Sequence, residues 1–153
     1  MNVHIERASE ADGPSILQLL REAGLPIDGL SEHLRTAFVA RDGADVVGCA
    51  ALEVYPDGVL LRSVAVSPTA RGHGLGHRLT DAAITLAKSL GTPAVFLLTT
   101  TAESYFPRFG FVQMPREQVP TSVQQSIEFR SACPASAVVM RRTLRDSEER
   151  RHA

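Results

Sequence analysis

The pattern of apolar and polar positions predicts alternating strands and helices along the chain. Short apolar runs with period two, or apolar throughout, predict strands at residues 3–7, 37–41, 46–54, 59–66 and 94–100, with two more after residue 109. Apolar positions three and four residues apart predict helices between Ser9 and Gly24, at 30–34, from 75 to the stop at Gly91, and at 102–108. The order β, α, α, β, β, β, α, β, α, β, β indicates an α/β protein with a mixed sheet and helices on both faces.

The composition agrees with one globular domain, expected over residues 1–144, followed by a charged, flexible tail at 145–153. The 153 residues are 44% hydrophobic, and the net charge of −1 argues against nucleic acid as a partner. Two isolated cysteines, Cys49 and Cys133, form neither a disulfide framework nor a metal site. Because no run resembles a membrane span or a signal peptide, we expect no membrane partner and a cytoplasmic location.

A basic, glycine-rich segment joins the strand 59–66 to the longest predicted helix. It reads R-G-H-G-L-G-H-R over residues 71–78. Its glycines let a phosphate approach the backbone, the N–H groups of the helix start point at that phosphate, and the arginines add charged donors. The spacing is neither a P-loop nor the dinucleotide motif G-x-G-x-x-G. The segment predicts a diphosphate-binding loop, or, in the simplest interpretation, a turn that opens a helix.

The complete string resembles the acetyl-CoA signature of the GNAT N-acetyltransferases. The family motif [QR]-x-x-G-x-[GA] after a V-x-V strand is matched by Arg71, Gly74 and Gly76 after the run V-A-V at residues 64–66. The resemblance implies a mixed, mostly antiparallel sheet whose two central strands splay into a V that holds acetyl-CoA as co-substrate, with no metal. The cofactor-binding residues that it implies are Val64, Ala65, Val66, Arg71, Gly72, His73, Gly74, Leu75, Gly76, His77 and Thr99.

Acetyl transfer from a thioester to an amine requires a neutral amine, a donor for the oxyanion and a proton for the leaving thiolate. The resemblance places the oxyanion donor among backbone N–H groups at a strand bulge within residues 63–66, so Ser63 and Val64 are catalytic candidates. The family's usual acid is a tyrosine at the position that Phe106 occupies here. Tyr105 stands one residue earlier, about 100° around a helix. Tyr105 therefore stays a catalytic candidate, although packing of its ring is the favoured interpretation.

No residue stands out as the base that deprotonates the amine. Glu53, Glu103 and Glu128 are candidates, but each is expected to be a solvated surface charge. Arg62 interrupts an apolar strand beside the expected acetyl position. It either points to solvent on the other face or forms a bidentate clamp for a substrate carboxylate. The run L-R-S at 61–63 resembles the same strand in amino-acid N-acetyltransferases such as glutamate acetylators, which favours the clamp.

The chain from Leu61 to Leu144 resembles one GNAT subfamily, the arsenic-resistance N-acetyltransferases. The strings V-P-T-S-V-Q-Q-S-I-E-F at 119–129 and C-P-A-S-A at 133–137 carry this resemblance. It implies a small carboxylate-bearing amine as acceptor: an amino acid, a glutamate analogue or an arsenical. Two alternatives stay open, a protein N-terminal or lysine acetyltransferase and a non-catalytic acyl-CoA-binding module. A homodimer is one option for the assembly.

Overall fold

The computed structural model describes residues 2–132 and 135–144. Within these residues seven strands form one sheet in the order β1-β2-β3-β4-β5-β7-β6. The strands are β1 Val3–Arg7, β2 Ala37–Asp42, β3 Asp45–Tyr55, β4 Gly58–Val66, β5 Ala94–Thr99, β6 Val112–Met114 and β7 Val138–Thr143. The two α-helices are α1 Gly13–Ala23 and α2 Leu75–Ser89. The predicted tail at 145–153 lies outside the described residues.

β4 and β5 form the parallel pair of an otherwise antiparallel sheet. They share only two register pairs, Val59 with Val95 and Leu60 with Phe96. Beyond these pairs β4 continues on β3 and β5 continues on β7, so the two central strands separate. The predicted V-shaped splay is confirmed, and it leaves a cleft in the middle of the sheet.

Both faces of the sheet are covered, as the apolar pattern predicts. α2 packs on one face, where Leu79 and Ala83 meet side chains of the central strands such as Leu61 and Leu97. α1 packs on the other face of the N-terminal half. The segment between β6 and β7 covers the half of the sheet formed by the C-terminal strands. A third apolar cluster, which includes Val123, fills this contact. β5 is therefore buried on both sides, which explains why its sequence is almost wholly apolar.

The prediction of a helix at residues 102–108 is wrong in the position and type of that helix. The structure has a turn followed by a 3₁₀ helix at Phe106–Phe109. The hydroxyl of Thr99 accepts a hydrogen bond from the backbone N–H of Ala102 at 2.9 Å, and Pro107 has no N–H to donate. Both features favour a tight turn over a continuous α-helix. The helix predicted at residues 30–34 is likewise a 3₁₀ helix, over Leu30–Thr36.

Candidate active site

A cavity of about 870 Å³ fills the cleft between β4 and β5. Its walls include residues 61–66 of β4 and 97–99 of β5. The glycine loop lines the cavity after the end of β4, while residues 26 and 28 line it where they contact Arg62 near the middle of β4. The cavity thus connects the predicted diphosphate loop with a second, buried region along one strand.

A bulge interrupts β4 where the resemblance predicts one. Ser63 and Val64 together oppose Ala50 of β3, so β4 carries one extra residue. Ser63 is also the only non-glycine residue with a positive φ, 62°, in the described part of the chain. The thiol of Cys49 donates to the carbonyl of Ser63 at 3.2 Å, and burial raises the pKa of that thiol to about 12, which keeps it protonated. Because a bulge takes backbone groups out of the strand ladder, this segment can present them to the cavity.

The glycine loop owes its shape to two glycines in the left-handed region. Gly72 has φ 85° and Gly74, which precedes α2, has φ 73°. A Cβ atom at either position would meet no atom within 4 Å, so the backbone conformation, rather than space, requires glycine. The N–H groups in the first turn of α2 have no partner inside the helix. They are therefore available to an anion in the adjoining cavity.

The other predicted loop residues divide between the cavity and its surroundings. Arg71, Leu75, Gly76 and His77 line the cavity together with the glycines. His73 is exposed and lies outside the lining residues. The guanidinium of Arg78, expected to add a donor for the diphosphate, instead points to the carbonyl of Val3 at 3.5 Å, away from the cavity lining.

Tyr105 and Phe106 both line the cavity, but in different ways. Phe106 is buried and packs edge-on against Tyr105 and Phe111, and a phenyl ring has no proton to donate. The hydroxyl of Tyr105 lies beside Gly76, 3.5 Å from where a Cβ would stand at that residue. Burial raises the pKa of Tyr105. The ring is also covered by the guanidinium of Arg108 at 4.4 Å, so Tyr105 is held mainly by packing.

Arg62 is fully buried, so the interpretation that it points to solvent is wrong. Its three nitrogens contact protein acceptors on all sides. These are Glu53 Oε2 (2.9 Å) and the carbonyl of Asp28 (2.6 Å) from Nη1, the carbonyl of Pro26 (3.2 Å) from Nη2, and Ser63 Oγ (2.9 Å) and Glu128 Oε2 (3.1 Å) from Nε. Of the five N–H groups of a guanidinium, these contacts leave at most one, on Nη2. The predicted bidentate clamp does not fit this geometry.

Glu53 and Glu128 are buried, contrary to the expectation of solvated surface charges, whereas Glu103 is exposed. Burial alone would raise the pKa of Glu53, but hydrogen bonds from Tyr55, Ser126 and Arg62 outweigh it and lower that pKa. The sequence does contain a signal for this pairing. An acidic residue in the apolar strand β3 and a basic one in the apolar strand β4 would each be costly to bury alone.

The described residues contain no cluster of His, Cys, Asp and Glu that could hold a metal ion. In the same part of the chain, no helix is long and apolar enough to span a membrane.

Comparison with known proteins identifies the family. A family model described as "Acetyltransferase (GNAT) domain" matches residues 33–113. An amino-acid acetyltransferase of Mycobacterium tuberculosis is 35% identical over 131 residues, which are 78% of this chain and 74% of that protein. These matches confirm the predicted acyltransferase class.

Two solved structures share the fold over almost the whole chain. N-acetylglutamate synthase from Neisseria gonorrhoeae, complexed with coenzyme A and N-acetyl-glutamate, has a TM-score of 0.80 and 25% identity over 95% of this chain, which spans only 36% of that protein. A Mycobacterium tuberculosis protein in complex with CoA has a TM-score of 0.77 and 26% identity, over 93% of this chain and 99% of its own. Coenzyme A in both structures agrees with the predicted co-substrate. The chain therefore belongs to the GNAT acetyltransferase family.

Proposed function

We propose that this protein transfers the acetyl group of acetyl-CoA to the amino group of a small carboxylate-bearing molecule, an amino acid or a glutamate analogue. The observation that carries the proposal is that one continuous cavity runs along β4 from the glycine loop to the buried Arg62. The similarity to amino-acid acetyltransferases supports the same acceptor class.

The residues along this cavity suit acetyl-CoA. The open backbone at Gly72 and Gly74 and the start of α2 would hold the diphosphate, and the free edge of β4 at residues 64–66 would pair with the pantetheine amides. Bound there, acetyl-CoA supplies an activated thioester. The bulge at Ser63 and Val64 would then offer a backbone N–H to the carbonyl oxygen, where negative charge develops.

A small acceptor fits the enclosed end of the cavity better than a protein segment does. Arg62 ties the loop at residues 26–28 and the segment at Glu128 to β4, which closes this region from two sides. A protein lysine or N-terminus would need an open groove. An arsenic-bearing glutamate analogue would share the amino-acid end, so the arsenic-resistance subfamily is compatible with the same site.

The decisive experiment is a thiol-release assay with acetyl-CoA across amino acids, glutamate analogues including an arsenic-bearing one, polyamines and a lysine peptide. We expect turnover with carboxylate-bearing amines and much weaker turnover with their amides or decarboxylated forms. Equal turnover of plain amines, or preference for the peptide, would favour a protein acetyltransferase. No turnover with any amine would favour the non-catalytic acyl-CoA-binding module.

The variant Tyr105→Phe tests the predicted packing role of this tyrosine. Because its hydroxyl lies beside Gly76 at the start of α2, we expect turnover to change by less than about tenfold, below the usual contribution of a general acid. The measurement is kcat in the same assay. A loss of more than about a hundredfold would instead show that the hydroxyl protonates the leaving thiolate. Phe106→Tyr is the companion variant, since it restores a hydroxyl at the family's usual position.

A further inference from the structure

Three segments of the chain bring ionisable side chains together behind the bulge. Glu53 comes from β3, Arg62 from β4, and Glu128 from the segment between β6 and β7. Arg62 contacts both carboxylates, at 2.9 Å and 3.1 Å. Even when buried charges are paired, their desolvation can cost as much free energy as the pairing returns, so this arrangement calls for a reason beyond stability.

The two carboxylates differ in what they face. Glu53 is fully enclosed, with Tyr55 donating to it at 2.6 Å and His33 Nε2 at 3.8 Å from it, and it does not line the cavity. Glu128 is only 4% exposed, yet it does line the cavity. Within this buried cluster, Glu128 is therefore the carboxylate placed to meet a bound molecule.

Arg62 fixes where Glu128 stands relative to the bulge. A single nitrogen, Nε, is 2.9 Å from Ser63 Oγ and 3.1 Å from Glu128 Oε2. The carboxylate is thereby held next to the first residue of the bulge, where the proposed acetyl transfer would occur. The Ser126 hydroxyl, which accepts from the backbone N–H of Glu128 at 3.2 Å, fixes the main chain at the same point.

We infer that Glu128 is a catalytic residue that binds the ammonium group of the acceptor and takes a proton from it, with Arg62 as the positioning residue that orients the carboxylate. This inference rests on the proposed function. Arg62 then acts on the acceptor indirectly, through the orientation of Glu128, and does not bind the substrate carboxylate itself. It also gives the buried cluster a purpose, because an acceptor ammonium brings a positive charge to a carboxylate held in place in a water-poor region.

The proton balance of the step is simple. The acceptor arrives with three N–H protons. Glu128 takes one, which frees the nitrogen lone pair, and later releases it to solvent. As the N–C bond forms and the thioester C–S bond breaks, a second proton leaves the nitrogen and reaches the thiolate, which departs as a thiol. The third stays on the amide product.

The test compares Glu128→Gln with the wild type on two acceptors of equal shape, L-glutamate and 3,3-difluoroglutamate. Should another amino acid be the best acceptor in the screen, that amino acid and its β,β-difluoro form replace them. The fluorines lower the pKa of the amine, so much of it is neutral before binding. For the basic amine, we expect Glu128→Gln to lower kcat/KM about a hundredfold or more, in the range of general base catalysis. For the fluorinated amine, the loss in kcat/KM should be smaller by a factor of at least about ten.

Two further readouts separate catalysis from structure. Glutamine keeps an oxygen that can accept from Arg62, and Arg62 keeps Glu53 as its counter-charge, so the variant should fold and its melting temperature should rise with acetyl-CoA as much as that of the wild type. Glu103→Gln, at an exposed glutamate outside the cavity lining, should leave both acceptors unaffected. Equal losses on the two acceptors, or a lost response to acetyl-CoA, would reduce Glu128 to a structural role. Full activity of Glu128→Gln would overturn the inference yet leave the proposed function standing, whereas an inactive wild type would refute that function itself.

Discussion

Replacing Gly74 with aspartate should abolish acetyl-CoA binding and leave the fold intact. Acetyl-CoA at a hundred times its Kd should stabilise the wild type by about 2.7 kcal/mol, which raises the Tm by roughly 5–10 °C for a chain of this size. In the variant, the new carboxylate stands at the N-cap of α2, where it can accept from the same N–H groups that would bind the diphosphate. It also repels that diphosphate, so the rise in Tm should vanish in a thermal-shift titration.

Gly43→Asp is the matched control for this variant. Gly43 has φ 63°, close to the 73° of Gly74, and a Cβ atom at either position would meet no atom within 4 Å. Both variants therefore carry a similar backbone strain, which aspartate tolerates better than most residues do. Gly43 lies in the turn between β2 and β3 and does not line the cavity. A preserved rise in Tm for Gly74→Asp, or an equal loss in both variants, would refute the diphosphate site.

The parts of this protein that local sequence determines could be predicted well. The glycine loop is one example, because Gly72 and Gly74 adopt backbone conformations that other residues avoid, and this need is visible in the residue types alone. The end of α1 at Gly24, with φ 71°, has the same origin. The course of the cavity beyond this loop depends on the splay of β4 and β5. The family resemblance predicts this splay, whereas the periodicity of apolar residues does not.

Residue types hint at the pairing of Glu53 with Arg62, but the complete charged cluster could not be predicted, because it depends on register between segments far apart in the chain. Whether Arg62 faces solvent or the interior is decided by its position relative to the bulge, since one extra residue in a strand changes which side chains share a face. Glu128 reaches Arg62 from the segment between β6 and β7, 66 positions later in the sequence. From the sequence, each of these residues could be either exposed or buried. All of them are buried because the fold brings them into contact with one another.

Removal of the Arg62 side chain should strongly destabilise the protein. Arg62→Ala leaves Glu53 and Glu128 buried without their shared cation, and loss of one partner of a buried ion pair costs about 3–5 kcal/mol. Arg41→Ala removes a guanidinium that also contacts two carboxylates, but at a more exposed site, so its cost should be on the order of 1 kcal/mol. The free energy of unfolding, measured with urea, compares the two variants.

The double variant Arg62→Met with Glu53→Gln shows whether uncompensated charge, rather than lost packing, causes this loss. Methionine restores apolar volume, and glutamine removes the fully enclosed negative charge while it can still accept from Tyr55. Replacement of both members of a buried ion pair is often close to neutral, so the double variant should be clearly more stable than Arg62→Met alone. If the second substitution instead adds to the loss, Glu53 does not depend on Arg62, and the cluster is not a single unit. Arg62→Lys should fall between the wild type and Arg62→Ala, because an ammonium keeps the charge but cannot reach acceptors on all sides of the site.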